Sequence, residues 1–229
     1  MTVQSGLTGR PPDAIPEDAE TARYYALTRR VFGALAPVYD TVVKAIAQPS
    51  LRRRAVDFCQ APTGARVLDV ATGTGAAARA FAERGHEVVA IDLVDQMLAA
   101  ARRKGGSVRY ELMDATTLAF PDRSFDVTTI SFALHDMPGP IRARVLAEMA
   151  RVTRQDGRVL VVDYGTPSHP LWARISTAII STWERGGWYS EFLREDLSEL
   201  LGRAGFVADA QAPAGRGTVR MIRGHPAQS

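Results

Sequence analysis

Residues 66–81 read Arg-Val-Leu-Asp-Val-Ala-Thr-Gly-Thr-Gly-Ala-Ala-Ala-Arg-Ala-Phe, a short apolar strand that passes through a glycine turn into an alanine-rich helix. Glycine has no Cβ, so Gly73 and Gly75 allow a sharp turn whose backbone N–H groups can approach a ligand closely. The helix that follows adds free N–H donors and the positive end of its dipole. This stretch therefore predicts a site for a nucleotide or nucleoside cofactor.

The alternation of strand and helix continues along the chain. Short, β-branched, apolar runs separated by helical segments are typical of a parallel sheet covered on both faces. We predict strands at 66–70, 87–92, 108–112, 125–132 and 158–163, and helices at 75–84, 95–104 and 140–152. A helix near 193–203 precedes two strands near 206–211 and 217–223, which we expect to form an antiparallel hairpin. The expected fold class is α/β, with a doubly wound, mostly parallel sheet.

The chain divides by composition into a tail, an extension and a main domain. Residues 1–20 are rich in proline and acids, so we expect a flexible tail. Residues 21–60 carry apolar side chains at three- and four-residue steps and predict a helical extension, or lid. Residues 61–229 form the main domain. Within it, 166–192 is expected to be an insertion that covers the substrate, with an apolar-faced helix at 170–184.

Composition narrows the functional classes. A chain of 229 residues with 46% hydrophobic content suits one sizeable α/β domain. Cys59 is the only cysteine and the four histidines lack metal-ligand spacing, so we expect neither a disulfide nor a bound metal. No apolar run approaches the roughly 18 residues that span a bilayer, and the N-terminus has no apolar signal segment. These features predict a cytoplasmic protein.

The net charge of +3 is unevenly distributed. Between residues 21 and 54 Asp40 is the only acid, and the basic residues are Arg23, Arg29, Arg30, Lys44, Arg52, Arg53 and Arg54. This excess favours an acidic substrate or peripheral contact with an anionic membrane, although a solvated helix face has the same composition. No nucleic-acid motif accompanies it, so we expect no nucleic-acid partner.

The glycine turn alone does not identify the cofactor. Gly73-Thr-Gly75-Ala-Ala-Ala78 fits the GxGxxG/A pattern of dinucleotide sites, and Asp92 follows Gly75 by seventeen positions. A nicotinamide-dependent oxidoreductase is therefore open at this point. The absence of any Tyr-x-x-x-Lys pair in the sequence argues against it.

A longer pattern is more specific. Val67-Leu-Asp69-Val-Ala-Thr-Gly73-Thr-Gly75 resembles motif I of the class I S-adenosylmethionine-dependent methyltransferases, in which an acid precedes the glycines by four positions. The resemblance continues, in order, through 91–98, 114–126, 148–152 and 157–162. The ubiquinone/menaquinone-biosynthesis branch is the most similar part of the family. The resemblance implies a Rossmann-like class I fold and in-line methyl transfer to a small-molecule acceptor.

The resemblance also implies S-adenosyl-L-methionine as the cofactor and assigns its contacts. Asp69 would lie near the methionine ammonium group, and Asp92 would accept both ribose hydroxyls. Asp114 and the N–H of Ala115 would read the adenine edge. The other residues implied at the cofactor are Ala71, where many members have a first glycine, Gly73, Gly75, Leu93, Met97, Ser131 and Phe132.

Methyl transfer depends mainly on alignment of the reacting atoms, and a general base is needed only if the acceptor must lose a proton. His135 follows the fourth strand, where doubly wound folds bind ligands, and is our expected base. Tyr39 is expected to close over the cofactor as a second catalytic residue. We expect Tyr164, Trp188 and Tyr189 to contact the substrate.

The acceptor is left open by one departure from the family pattern. Phe132-Ala-Leu-His135-Asp136 stands where the quinone enzymes typically have Phe-Gly-Leu-Arg-Asn, a segment that borders the reacting centre. A quinone ring carbon, a phospholipid headgroup amine at the membrane surface and a secondary-metabolite hydroxyl all remain as acceptors. A non-catalytic binder of S-adenosylmethionine remains as a further class, beside the oxidoreductase.

Overall fold

A mixed sheet of seven strands forms the centre of the computed structural model, which describes residues 18–43, 49–165, 187–214 and 217–228. The strands are β1 (Arg66–Val70), β2 (Glu87–Asp92), β3 (Val108–Leu112), β4 (Phe125–Ser131), β5 (Thr153–Tyr164), β6 (Phe206–Ala214) and β7 (Val219–Pro226). Their spatial order is β3-β2-β1-β4-β5-β7-β6, and β7 runs antiparallel to both of its neighbours. The predicted doubly wound, mostly parallel sheet with a C-terminal hairpin is confirmed.

The helices connect these strands and cover the sheet. Their bounds are α1 (Ala19–Leu35), α2 (Tyr39–Val43), α3 (Pro49–Cys59), α4 (Ala76–Ala82), α5 (Asp95–Arg103), α6 (Gly139–Val152), α7 (Tyr189–Phe192) and α8 (Leu197–Arg203). A short 3-10 turn, Leu134–Asp136, follows β4. None of the helices in the described ranges has both the length and the apolarity that a bilayer span requires.

The two faces of the sheet bury separate apolar clusters, as the alternation of side chains along a strand demands. Leu68 and Val70 of β1 face one cluster, which α6 and α8 complete. Val67 of the same strand faces the other, where α3 and α4 pack. Tyr24 of α1 belongs to the first cluster and Leu51 of α3 to the second. The helices of the N-terminal extension therefore contribute to the packing on both faces.

Two predicted elements differ from the structure. β5 begins at Thr153 rather than near 158, because Thr153 pairs with Phe125 ahead of a register shift in β4. The helix predicted near 193–203 begins only at Leu197, because the Asp196 carboxylate accepts hydrogen bonds from Ser198 N and Glu199 N and caps it there. The predicted tail falls almost wholly outside the described residues, as does the predicted helix at 170–184. The domain boundaries stay a prediction.

The strand order places a crevice beside β1. The chain winds outward from β1 through β2 to β3 and then crosses back to β4 on the other side of β1. Ligands of doubly wound sheets bind where the winding direction reverses, outside the carboxyl ends of the strands. Here that position lies between the ends of β1 and β4, where the glycine turn begins.

Candidate active site

A cavity lies at this crevice, between the carboxyl ends of the strands and helices α1, α2 and α3. It is lined on the strand side by most of the predicted cofactor residues: Asp69, Ala71, Gly73, Asp92, Leu93, Met97, Asp114, Ala115, Ser131 and Phe132. Among the described residues Gly75 is not part of this lining. The tertiary structure thus brings residues that are up to 63 positions apart in the sequence together around one cavity.

The glycine turn bends through left-handed backbone. Gly73 has φ +56° and Gly75 has φ +76°, and a Cβ on Gly75 would lie 2.4 Å from the Tyr110 hydroxyl. Ala71, at φ +52°, adopts the same region without being glycine, as does Phe132 at the end of β4. Non-glycine residues held in this region carry backbone strain, which is concentrated at functional sites. Both strained residues line the cavity.

Asp69 is a buried acid at the cavity, and one of its oxygens lacks a hydrogen-bond partner among the described residues. Its Oδ2 accepts hydrogen bonds from Thr72 Oγ1 at 2.5 Å and Ala78 N at 3.1 Å. Within the described residues, its Oδ1 and the Oγ1 of Thr129, its register partner on β4, have no hydrogen-bond partner. Burial raises the pKa of Asp69 to about 7. A buried oxygen without a partner is costly, so this position suits a ligand that donates hydrogen bonds or carries positive charge.

Asp92 ends β2 and holds the glycine turn. Its Oδ2 accepts a hydrogen bond from Gly73 N at 2.7 Å, and its Oδ1 accepts one from Val94 N at 2.9 Å. Burial raises the pKa of Asp92 to about 6. Each carboxylate oxygen can accept a further hydrogen bond, so Asp92 can receive two donors from a ligand in the cavity.

Asp114 connects the cavity to helix α1. Its Oδ1 accepts hydrogen bonds from Thr116 N at 2.8 Å and Thr116 Oγ1 at 2.7 Å. Its Oδ2 accepts one from the hydroxyl of Tyr25 at 2.6 Å, across 89 residues of sequence. The sequence does not identify Tyr25, because nothing in the pattern of α1 indicates which tyrosine reaches Asp114.

The loop after Asp114 is held by the segment 148–151, which the family pattern had singled out. Arg151 donates hydrogen bonds to Leu118 O at 2.9 Å and Phe120 O at 2.8 Å. Glu148 pairs with Arg151 and accepts a hydrogen bond from Leu118 N at 2.7 Å. This part of the family pattern therefore supports the cavity without lining it.

Helix α2 is fixed to the glycine turn. Tyr39 lines the cavity, and its Cε1 lies 4.0 Å from where a Cβ on Gly73 would be. Asp40 accepts a hydrogen bond from Thr74 Oγ1 at 2.6 Å and pairs with Lys104. These contacts place Tyr39 over the turn.

The predicted base lies behind the cavity. His135 is buried, and its Nδ1 lies 2.7 Å from Asp163 Oδ1. It is not among the described residues that line the cavity, whereas the next residue, Asp136, does line it. The sequence favoured His135 because the usual pKa of an imidazole suits a base, and it gave no reason to select Asp136. The catalytic assignment of His135 stays a prediction.

Two of the three predicted substrate aromatics, Tyr164 and Tyr189, pack against His135, and the third, Trp188, packs against α1. The Tyr164 ring centroid lies 4.6 Å from that of His135, and the Tyr189 centroid lies 5.9 Å from it. Trp188 packs edge-on against Tyr24, with 5.9 Å between centroids, and its Nε1 donates to Glu20 Oε1 at 2.9 Å. In the described part of the chain these aromatics support the cavity wall and do not line it. Their contact with a substrate stays a prediction.

Three kinds of comparison with known proteins agree with this geometry. A family model described as "Methyltransferase domain" matches residues 67–157. The demethylmenaquinone methyltransferase of Renibacterium salmoninarum is 36% identical over 177 residues, which cover 76% of this chain and 68% of that protein. The enzyme of the same name from Clavibacter sepedonicus is 32% identical over 217 residues, 85% of this chain and 88% of that one. A third, from Paenarthrobacter aurescens, is 37% identical, and the match spans 58% of its length.

Solved structures share the fold. The 1,6-didemethyltoxoflavin-N1-methyltransferase of Burkholderia thailandensis, solved with its substrate and S-adenosylhomocysteine, superimposes with a TM-score of 0.68. It is 22% identical, and the match covers 96% of this chain and 99% of that one. A Haloferax volcanii putative methyltransferase, solved with the Trm112 activator, has the same TM-score at 18% identity, over 86% of this chain and 98% of that one.

The oxidoreductase alternative is not supported by these relatives, and the prediction of an S-adenosylmethionine enzyme is confirmed. The residues at the cavity also fit that cofactor, since one oxygen of Asp69 lacks a partner among the described residues and Asp92 has free acceptor capacity for hydroxyl donors. The chain belongs to the class I S-adenosylmethionine-dependent methyltransferases, in the branch of the ubiquinone/menaquinone-biosynthesis enzymes.

Proposed function

We propose that this methyltransferase methylates a ring carbon of a small hydroquinone or a closely related hydroxyarene. The observation that carries the proposal is the composition of the cavity. Asp69, Asp92 and Asp114 lie toward the strand ends, and Asp136 borders an apolar wall that continues from them. That wall includes Tyr24, Met113, Met137, Ile141 and Val145. The relatives named as demethylmenaquinone methyltransferases support the same class of acceptor.

The strand side of the cavity is proposed to hold the methyl donor, which when bound supplies a methyl group on a positively charged sulfur. Asp69 would face the ammonium group and Asp92 the two ribose hydroxyls. Asp114 and the N–H of Ala115 would bind the adenine. The remaining assignments are Ala71, Gly73, Leu93, Met97, Ser131 and Phe132 as lining residues, and Gly75 as the residue that shapes the turn.

The roof of the cavity is proposed to exclude water from the reacting atoms. Tyr39 lies over the glycine turn, and burial raises its pKa, so its hydroxyl stays neutral. An aromatic roof and an apolar wall hold a flat ring by contact rather than by charge. Alignment of that ring with the methyl group supplies most of the expected acceleration. Tyr164, Trp188 and Tyr189 are proposed to shape this end from behind.

The acceptor can be tested with purified protein and a methyl-labelled donor. We expect methyl incorporation into a short-chain demethylmenaquinol, because the hydroxyl oxygens of a reduced ring make its carbons nucleophilic. The oxidised demethylmenaquinone should accept none, because its ring is electron-poor. The Asp92→Asn variant, which we expect to bind the donor poorly, measures the methyl incorporation that does not depend on this site. Incorporation into phosphatidylethanolamine, with none into the quinol, would replace this proposal by the phospholipid N-methyltransferase.

The same assay also addresses where the enzyme works. Arg53 and Arg54 are exposed on α3, whereas Arg52 lines the cavity. Within the basic run 52–54, two side chains are therefore available to a membrane and one faces the ligand site. We propose that the exposed part contacts anionic membrane from the cytoplasm, where the buried, unpaired Cys59 stays reduced. Turnover of the quinol should then be faster in vesicles with phosphatidylglycerol than in phosphatidylcholine alone. Equal rates would leave the basic run as a solvated helix face.

The affinity for S-adenosylhomocysteine is expected to depend on pH. Burial raises the pKa of Asp69 to about 7 and that of Asp92 to about 6, so both acids are largely protonated at pH 5. The ligand's ammonium and hydroxyl groups favour the ionised acids, so binding releases protons and tightens as pH rises toward 7. We expect the dissociation constant to be about 10- to 100-fold higher at pH 5 than at pH 7.5. The free protein should show the opposite trend and lose stability as pH rises through 6 to 7, because ionising these buried acids is costly.

Calorimetry in two buffers of different ionisation enthalpy measures both the dissociation constant and the protons released. The Asp69→Asn variant should bind weakly and with a flatter pH profile, because the acid with the higher pKa is gone. A dissociation constant that changes less than twofold across this range would contradict the assignment of both acids.

A further inference from the structure

Three side chains extend from the cavity into the protein in a line. Asp136 borders the cavity, and its Oδ2 lies 3.4 Å from His135 Nε2. His135 Nδ1 in turn lies 2.7 Å from Asp163 Oδ1. His135 is therefore placed between two carboxyl groups, one accessible from the cavity and one fully buried.

The buried end of this line is rigid. Asp163 is 1% exposed, and it also accepts hydrogen bonds from Leu134 N at 3.0 Å and Tyr164 N at 2.7 Å. Both Asp163 oxygens act as acceptors in these bonds, so we assign the proton of the contact between His135 and Asp163 to Nδ1 of His135. In the neutral ring the lone pair is then on Nε2, which faces Asp136.

The cavity end is held just as firmly. Asp136 lies between two carbonyl groups that Arg142 binds, with Nε donating to Leu134 O at 3.1 Å and Nη2 donating to Met137 O at 2.9 Å. The side chain of Asp136 is 29% exposed, so a ligand can reach it. The turn is fixed on both sides of the carboxyl group, which therefore has a defined position at the apolar wall.

We propose that Asp136 is the catalytic base of this enzyme and that His135 and Asp163 position it and accept its proton. The proposal rests on the proposed function, because it requires an acceptor that bears an ionisable hydroxyl group. His135 is then a positioning residue that acts through Asp136, rather than the group that touches the acceptor.

The chemistry balances with one proton per methyl transferred. The O–H bond of the acceptor breaks, its electron pair stays on oxygen, and the proton bonds to Asp136. The oxyanion raises the electron density of the adjacent ring carbon, whose electron pair would form the bond to the donor's methyl group while the methyl–sulfur bond breaks and its pair stays on sulfur. The methylated carbon then loses its hydrogen as a proton, the C–H electron pair stays in the ring, and a proton binds the oxygen, so the product regains its hydroxyl. The remaining proton is shared with His135 Nε2, where Asp163 stabilises the imidazolium, and it returns to water after product release.

The surroundings of Asp136 place its titration above that of an ordinary carboxyl. Burial raises the pKa of Asp136 and the charge of Asp163 adds to this, while His135 opposes it. The other titratable or charged groups that face this line are Tyr24 of α1, Tyr39 of α2, Arg142 of α6, Tyr164 of β5, Tyr189 of α7 and Arg220 of β7, which is the register partner of Asp163. Burial raises the pKa of Tyr24, Tyr39 and Tyr164, so these three stay neutral, and Arg142 is paired with Glu195.

The first test is kinetic and uses the demethylmenaquinol assay. Asp136→Asn keeps the size of the side chain and removes the base, so we expect kcat to fall by about 10²- to 10³-fold with KM for the quinol changed less than threefold. In the native enzyme kcat should rise with pH through the pKa of Asp136, and this rise should be absent in the variant. His135→Gln should lower kcat by about 10-fold and shift the rise to higher pH, because His135 opposes the raised pKa of Asp136. The control is Asp156→Asn, at an acid that is 81% exposed and far from the cavity, and it should behave as the native enzyme does.

The second test needs no acceptor and uses ¹⁵N spectra of the histidine rings, with His135 identified by its loss in His135→Gln. We expect a protonated Nδ1, and we expect Asp136→Asn to lower the pKa of His135 while Asp156→Asn leaves it unchanged. Unchanged kcat and pH profile in Asp136→Asn would overturn the relay while the proposed function stands. If the native enzyme does not methylate the demethylmenaquinol, the proposed function is wrong. A His135 that titrates independently of Asp136 overturns the relay in either case.

Discussion

Replacing Asp92 by asparagine is expected to raise the dissociation constant for S-adenosylhomocysteine by about 100-fold or more. Each hydrogen bond to a charged group contributes about 1.5–3 kcal/mol, and Asp92 is proposed to bind two ribose hydroxyls. Asparagine would also turn an NH₂ group toward Gly73 N or Val94 N, so two donors would face each other. A loss of about 3 kcal/mol corresponds to roughly two orders of magnitude in affinity.

The measurement is a calorimetric titration at pH 7.5, beside Asp156→Asn as the matched change at an exposed acid. The free Asp92→Asn protein should still fold, because the loss of one hydrogen bond from Gly73 N or Val94 N is partly offset by removal of a buried carboxyl whose pKa is raised to about 6. Loss of affinity without loss of the folded state therefore identifies a ligand contact. Binding within threefold of the native protein would remove Asp92 from the site.

Replacing Arg142 by methionine is expected to lower the free energy of unfolding by about 3–5 kcal/mol, the usual cost of removing one partner from a buried charged network. The Arg142 side chain is 1% exposed and pairs with Glu195. Methionine fills a similar volume but leaves the carbonyls of Leu134 and Met137 without their donors. The turn that carries Asp136 should loosen as well, so activity should fall even in the folded fraction.

Urea unfolding of Arg142→Met compared with Arg203→Met gives the matched measurement. Arg203 is 74% exposed and pairs with Glu199 one helical turn away, so its replacement should cost less than about 1 kcal/mol. Equal effects of the two changes would show that the burial of Arg142 does not matter for stability.

Local patterns were sufficient for the strands, and the family resemblance supplied the predicted donor contacts. The five strands of the parallel part were predicted because buried parallel strands are short apolar runs, which the sequence displays directly. Asp69, Asp92 and Asp114 were assigned to the donor through the resemblance, and all three line the cavity. Ala71 was assigned to the turn through the resemblance alone, and the structure explains its backbone by a φ of +52°.

The acceptor side could not be predicted in the same way. Whether His135 or Asp136 faces the cavity depends on a half-turn of backbone, and that turn is held by Arg142 and Asp163 from other elements. Tyr25 reaches Asp114 only because α1 lies over the ends of the strands. The periodicity of neighbouring residues carries no information about side-chain contacts between residues that lie 28 or 89 positions apart in the sequence.

The sequence by itself determined the α/β architecture and the glycine turn, because strand periodicity and glycine placement are local properties of the chain, and its resemblance to a family indicated the methyl donor. Only the tertiary structure decided which side chains face the cavity on the other side. It turned Asp136 toward the cavity, set His135 behind it, and brought the N-terminal helices over the glycine turn. The reason is physical: which of two adjacent side chains is exposed is decided by packing and hydrogen bonds with elements that are distant in the chain.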